Sequence, residues 1–435
     1  MKSGLAQFGG PDYGRAMNRS VLSAACGLAC LAGCHSTPRR CAATAATPIT
    51  QLVDLHGATD PTVPVIDTQI SHTLAEKIGR PGRFEQAKRK PFEILALSGG
   101  GSYGAYSAGV LVGWTETGQR PTFDVVTGVS TGAIVAVLAF LGPDADPELR
   151  RFYTTVANKD IYTKKNELTG ILSDSLYDTQ PLANLIAKVI DDTLLTRVAA
   201  EYAKGRRLYV GTTHLDSRRL VQWDMGAIAA RGTPQDLDLF RKLVLASASI
   251  PGYFPPVYVP VAIDGKVKQE LHVDGGVTAS LFFVPPRVSK EEYLTLGETP
   301  LAGSNLYVIV AGKLYADPAC VERRLVPLAG GAISSLLYAQ TRGDLFQMFA
   351  LCLATKMNYY LTAVPASAPV PADATSFDPV EMTALFEVGR KSAVAPWRST
   401  PPGLEVGEAV PPRAGTVFVS PAGSKPDVVQ VGGTK

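Results

Sequence analysis

The sequence predicts an α/β protein with a central, mostly parallel sheet flanked by helices. Three observations carry that expectation. A short apolar run, Glu93-Ile94-Leu95-Ala96-Leu97, leads into a glycine-rich loop and then a helix. A second run, Phe123–Val129, leads into a serine-bearing turn and another helix. Strand, loop, helix, strand, turn and helix in that order join parallel strands by a right-handed crossover. Finally, 435 residues at 46% hydrophobic content are ample for one large core or two domains.

The elements follow in chain order. Ala105 to Trp114 reads as a helix stopped near Gly118, and Thr131 to Leu141 as one closed by Gly142-Pro143. Asp146-Pro147 forms an N-cap and first-turn pair. Gln180-Pro181 opens a helix to about Ile190, and Thr193 to Lys204 is a further one ended by Gly205. Leu208 to His214 and Leu220 to Trp223 form a hairpin. A helix over Asp236–Ser249 is stopped by Pro251-Gly252. Val257–Ile263 and Lys266–Val273 pair across Asp264-Gly265, and Leu306–Val310 adds a core strand. A long apolar helical segment runs from Leu328 to about Thr355 with a break near Gly343, and a last helix covers Met382–Ala393. Residues 365–379 are rich in proline and alanine.

The net charge is +3, from 42 basic and 39 acidic side chains with no long basic run, so nothing calls for a nucleic-acid partner. Six cysteines in so long a chain do not make a disulfide scaffold. Four of them, Cys26, Cys30, Cys34 and Cys41, crowd the N-terminus, while Cys320 and Cys352 are either a disulfide or two buried thiols. Arg15 and Arg19 precede an uncharged apolar run from Val21 to Leu31, the length of a signal h-region and too short to span a membrane. Met17 would give a more compact signal. The run ends in Leu31-Ala32-Gly33-Cys34, which resembles the bacterial lipoprotein box. The resemblance implies removal of residues 1–33, lipidation of Cys34 and, with no aspartate directly after it, an outer-membrane protein facing the periplasm.

Chemistry concentrates at Gly128-Val129-Ser130-Thr131-Gly132. G-x-S-x-G at a strand-to-helix turn pushes the serine out of the sheet, because flanking glycines let the backbone bend. The hydroxyl then faces a helix N-terminus. Gly99, Gly101 and Gly104 fit two loops. One is a dinucleotide loop, but its acidic ribose partner would be Asp124, which starts its strand rather than ending it. The other is an oxyanion hole of bare amides at Gly99, Gly100 and Gly101, and it fits better.

A nucleophilic serine needs a base. Of five histidines, His35, His56 and His72 precede the first core strand. His214 and His272 read as satisfied strand histidines, the second on the same strand face as Asp274. Asp274, followed by Gly275 and Gly276 at a strand end, is the better acceptor of the serine proton. It needs a poorly solvated site close to the hydroxyl.

Together, Gly99-Gly100-Gly101 with Gly104, Gly128-Val129-Ser130-Thr131-Gly132 and Asp274-Gly275-Gly276 resemble the patatin-like phospholipases over about residues 92–315. Ala246-Ser247-Ala248-Ser249-Ile250-Pro251-Gly252-Tyr253-Phe254-Pro255-Pro256 resembles the stretch before the dyad aspartate in that family. The family places Arg or Lys before the last glycine of its loop, where this chain has Tyr103. The resemblance implies a three-layer patatin-like fold, a Ser130–Asp274 dyad and hydrolysis of lipid or phospholipid acyl esters without a metal or other cofactor. It also implies a division into a tether (34–90), a catalytic domain (91–315), a mainly helical part packed on it (316–399) and a tail (400–435). An esterase or thioesterase acting on soluble acyl groups, and a silent envelope binding protein, are the other classes the motifs allow.

Overall fold

A computed structural model describes residues 90–166, 173–263, 266–284, 301–317, 321–371 and 373–402. The export signal, Cys34, Cys320, the Asp264-Gly265 turn and the tail beyond Pro402 lie outside the described residues.

The sheet has the order β10–β9–β1–β2–β5–β8–β7, with β6 on the free edge of β5. Its strands are β1 (Glu93–Leu97), β2 (Val125–Val129), β5 (Arg207–His214), β6 (Arg219–Asp224), β7 (Val257–Ile263), β8 (Lys266–Asp274), β9 (Asn305–Val310) and β10 (Asn358–Ala363). The run from β10 through β5 is parallel, and β6, β8 and β7 are antiparallel additions. A separate two-stranded ribbon pairs β3 (Thr163–Lys164) with β4 (Tyr177–Asp178).

Helices cover both faces. Leu95 and Leu97 of β1 enter one apolar cluster, and Ile94 and Ala96 enter the other, as the two-residue period of a strand requires. The first cluster holds α1 (Gly104–Glu116), α2 (Thr131–Leu141), α3 (Asp146–Thr155), the one-turn α4 (Asn158–Ile161), α5 (Gln180–Val189), α6 (Asp192–Ala203), α7 (Met225–Arg231), α8 (Pro234–Ser247) and α10 (Pro379–Ser392). The second is closed by α9 (Leu325–Thr355) through Leu345, Met348, Leu351 and Cys352.

α1 and α10 cross in backbone contact: a Cβ on Gly109 would sit 2.0 Å from the Phe386 carbonyl oxygen, and one on Gly389 2.1 Å from that of Tyr106.

Several expectations needed correction. α9 starts at Leu325 and is continuous through Gly343. A mid-helix glycine costs only ~1 kcal/mol against alanine, less than the burial of Leu345 and Met348 just beyond it returns. Asp146 is the first helical residue rather than the N-cap, and its carboxylate takes Arg120 Nη1 at 2.8 Å. α8 begins at Pro234 behind a Thr233–Asp236 capping box and stops at Ser247, leaving Ser249 in the following turn. Strand β10 and helix α7 had no counterpart in the expected elements. β10 is concealed because α9 ends at Lys356 in the left-handed conformation (φ 57°), where a glycine would have marked the stop.

Candidate active site

Ser130 sits between β2 and α2 with φ 55° and ψ −128°, a conformation that an L-residue holds only when its surroundings impose it. Its N–H donates to Ser247 Oγ at 2.9 Å, and the Ser247 hydroxyl donates onward to the Gly211 carbonyl at 2.6 Å. The Ser130 carbonyl accepts the Ala133 N–H at 2.9 Å, the first turn of α2. The flanking glycines are steric requirements. A Cβ on Gly132 would lie 2.5 Å from the Ser98 carbonyl oxygen, and one on Gly128 2.3 Å from that of Gly132. Gly104 likewise leaves room for Thr131 Oγ1, which is hydrogen-bonded to the buried Tyr153 hydroxyl at 2.6 Å.

Sheet topology delivers Asp274 to this turn. β2 pairs with β5 up to Val129↔Gly211, and β8, running the other way, takes the same edge of β5 from Thr212↔Asp274 onward. The end of β8 therefore meets the end of β2. The Ser130 hydroxyl lies near enough to the Asp274 carboxylate to favour its charged form, and the Gly276 N–H donates to Asp274 Oδ1 at 2.7 Å. Burial raises the Asp274 carboxyl from 3.8 to about 6, against the lowering effect of the Ser130 hydroxyl and the Gly276 N–H. Its backbone N–H donates to the Ser249 carbonyl at 2.9 Å. Ser247 and Ser249, two residues apart, thus hold the backbones of both site residues. Gly275 is needed here too, since its Cβ would lie 2.5 Å from the Gly211 carbonyl oxygen.

The glycine-rich loop faces the same edge. The Gly99 N–H is already turned to the Ser280 carbonyl at 3.4 Å, whereas the amides of Gly100 and Gly101 have no protein acceptor among the described residues. Of the three amides expected to face an oxyanion, two remain available. Gly101 has φ 55°, and its Cβ would fall 2.1 Å from the Ala374 carbonyl oxygen; Gly100's would fall 2.1 Å from that of Ala311. Tyr103, which stands where the family places Arg or Lys, donates its hydroxyl to the Pro371 carbonyl at 2.6 Å, and the Ser102 N–H donates to the Ala374 carbonyl at 2.8 Å. These bonds fasten the proline- and alanine-rich segment over the loop.

A cleft runs from Ser130 and Gly101 between Ile134, Phe152, Ile161, Leu182, Phe254 and Phe377, roofed by Ala374 and Thr375. Its walls are almost wholly apolar. Asp124, the ribose partner a dinucleotide loop would need, accepts the Glu93 N–H at 2.8 Å at the opposite edge of the sheet. His272 is buried with Nδ1 on Thr212 Oγ1 at 2.9 Å and Nε2 3.5 Å from Glu270, while His214 Nδ1 meets Ser217 Oγ at 2.8 Å. No imidazole contributes to the interactions of Asp274. Among the described residues no group of His, Cys, Asp or Glu side chains is placed to hold a metal ion.

Three contributors escaped the sequence. Ala374, Thr375 and Phe377 come from a segment legible only as proline- and alanine-rich. Ser247 lay in a stretch singled out by resemblance but given no role. Asp344 of α9 accepts the N–H groups of Ser280 and Leu281 at 2.8 and 3.1 Å, and no motif marks it.

A patatin-like phospholipase family model matches residues 95–285. Calcium-independent phospholipase A2-gamma of Homo sapiens is 26% identical over 140 residues, 31% of this chain and 18% of that protein. The Mus musculus protein of the same name is 23% identical over 241 residues, 49% of this chain and 28% of its own length. The chain thus spans less than a third of the curated relatives it matches. Among solved structures, VipD from Legionella pneumophila aligns at 13% identity and a TM-score of 0.32, covering 72% of this chain and 70% of that one. The type III effector ExoU aligns at 14% identity and a TM-score of 0.24, covering 70% and 52%.

Proposed function

We propose, from the match of residues 95–285 to the patatin-like phospholipase family model, that the chain is a serine hydrolase of lipid acyl esters, of phospholipase A or lysophospholipase type. The observation that carries the proposal is the convergence of a strained Ser130 and a buried Asp274 at the head of an apolar cleft. Ser130 Oγ attacks the ester carbonyl, and its proton passes to Asp274. A carboxyl near 6 is ionised at neutral pH yet basic enough to take that proton. The N–H groups of Gly100 and Gly101 receive the developing oxyanion; one such donor is worth on the order of 10²–10³ in rate. Collapse expels the alcohol, protonated by Asp274. Water then attacks the acyl-serine, gives its proton to Asp274, and the acid leaves as Ser130 regains its hydrogen.

The cleft suits an apolar acyl group rather than a charged one, because seven large apolar side chains, Ile250 among them, line it and no charged one does. Cys34 serves in this proposal as the lipidated N-terminus of an outer-membrane protein. The test is hydrolysis of a lipid panel graded in head group and acyl length by the full chain and its Ser130→Ala variant, with a fluorophosphonate probe alongside. Lipid hydrolysis and probe labelling that both vanish in the variant are expected. Turnover retained by Ser130→Ala refutes the assignment. A chain that neither turns over lipid nor labels is a binding protein.

A further inference from the structure

α9 is longer than the sheet it covers. Asp344 meets the segment after β8 at the edge that carries Ser130, since Ser280 also bonds Gly99, while Thr355 and Met357 lie at the opposite edge, where β10 begins. The stretch from Asp344 to Thr355 is ~16 Å long and crosses the sheet. The preceding stretch, Leu325–Gly343, runs ~28 Å further in the same direction, past the active-site edge.

This projecting half carries no charge from Leu325 to Thr341, yet Leu325 is 84% exposed, Leu336 68%, Ile333 57% and Leu328 51%. With Ala329 and Ala332 these side chains recur at i, i+3, i+4, i+7, i+8 and i+11, one continuous stripe of a helix surface. The other side of the helix is half-buried at Gly331, which faces Val321, and at Tyr338. The Ser335 and Thr341 hydroxyls donate back to the Gly331 and Leu337 carbonyls at 2.8 Å, so neither demands water. Cations bound the run at both ends: Arg323 and Arg324 before it and Arg342 after it. Glu322, 3.3 Å from Arg324, offsets one charge at the tip. The helix is not apolar enough to cross a bilayer.

We infer that the Leu325–Leu336 stripe is a membrane-docking surface, which lies in the interface of an anionic phospholipid bilayer and holds the Ser130 edge of the sheet against the lipid. A stripe of leucine and isoleucine enters the acyl boundary while Arg323 and Arg324 stay at the head groups; the Arg342 guanidinium is held by the Leu314 carbonyl and lies over the Tyr315 ring. The cations favour an anionic bilayer over an apolar groove of a second copy. The inference rests on the lipid-ester proposal for its purpose, but the binding it asserts is measured without turnover.

The test is flotation of the full chain with vesicles of phosphatidylcholine, with and without phosphatidylglycerol. It is run in a Cys34→Ala background, so that no acyl chain on that residue contributes. Leu328→Asp/Ile333→Asp/Leu336→Asp should lower vesicle binding at least about a hundredfold. Arg323→Glu/Arg324→Glu should remove about tenfold of the preference for phosphatidylglycerol. Both variants should keep full activity on a soluble short-chain ester, which verifies the fold. Unchanged flotation of the triple-aspartate variant overturns the inference. So does a sedimentation shift from dimer to monomer in that variant with vesicle binding intact, because the occupant is then a second copy. A parent chain that floats with vesicles but hydrolyses no lipid ester sinks the enzymatic proposal alone.

Discussion

Replacing Asp274 by asparagine should harm activity and help stability, and the two effects share one cause. The carboxyl rises from 3.8 to about 6 because it is buried, with only the Ser130 hydroxyl and the Gly276 N–H to stabilise its charge. Well below pH ~3.8 the group is protonated in the folded and the unfolded chain alike, and ionisation costs nothing. As pH climbs toward about 6 the unfolded chain ionises first, so stability falls; above about 6 the folded protein bears the whole penalty. The gap between the two values, at ~1.4 kcal/mol per pH unit, corresponds to a penalty on the order of 3 kcal/mol. Asparagine carries no charge and still offers Oδ1 to the Gly276 N–H. Allowing about 1 kcal/mol for the altered Ser130 hydrogen bond, Asp274→Asn should be about 1–3 kcal/mol more stable than the parent near pH ~8. Near pH ~4 it should show no gain. Urea unfolding followed by tryptophan fluorescence at both pH values measures the difference. Ester hydrolysis by the same preparations should fall by a factor on the order of 10²–10⁴. A gain that is absent near pH ~8, or equal at both pH values, would show that the carboxylate is not desolvated. A variant that is stabilised but fully active would show that another group takes the proton.

In the parent enzyme, kcat/KM should fall about tenfold per pH unit below about 6 and level off above it, and a flat profile across that range contradicts the assigned base. Asp344→Ala leaves the Ser280 and Leu281 amides without their acceptor and should lower stability by about 2–4 kcal/mol in chemical denaturation, with slower ester turnover because Ser280 also holds Gly99. Asp344→Asn, which keeps an oxygen for both amides and removes a carboxyl that burial has raised to about 7, should match or exceed the parent near pH ~8. Gly101→Ala should reduce hydrolysis by on the order of 10² or more with circular dichroism unchanged, because its Cβ falls on the Ala374 carbonyl. Cys34→Ala should move the protein from the membrane to the soluble fraction when the projecting part of α9 carries its three aspartates as well; persistence in the membrane fraction rules the anchor out.

Elements written in local sequence were legible, and their legibility follows from short-range physics. β1 and α2 begin and end where their apolar runs and glycines place them. The turn at Ser130 is encoded by Gly128 and Gly132, because each bare Cα answers a contact made within a few residues of it or at the end of the neighbouring strand. Asp274 stood out because two glycines after a strand release the backbone there. Features made by distant segments left no such trace. Ser247 looks like any serine near a helix end until its hydroxyl is found between Ser130 and Gly211. Asp344 is one more acid in a long helix until it caps two amides after β8.

The sequence by itself determined the alternation of strand and helix, the strained turn that presents Ser130 and the identity of the groups able to meet there. Only the tertiary structure decided that β8 succeeds β2 along a single edge of β5, which brings Asp274 to Ser130 from well over a hundred residues away in the chain. It also decided that Ala374, Thr375 and Phe377 roof the cleft and that half of α9 stands clear of the sheet. The division has one physical reason. Backbone preference and apolar periodicity act over a few residues and can be read in order, whereas strand pairing and hydrogen bonds between remote segments exist only once the chain has closed on itself.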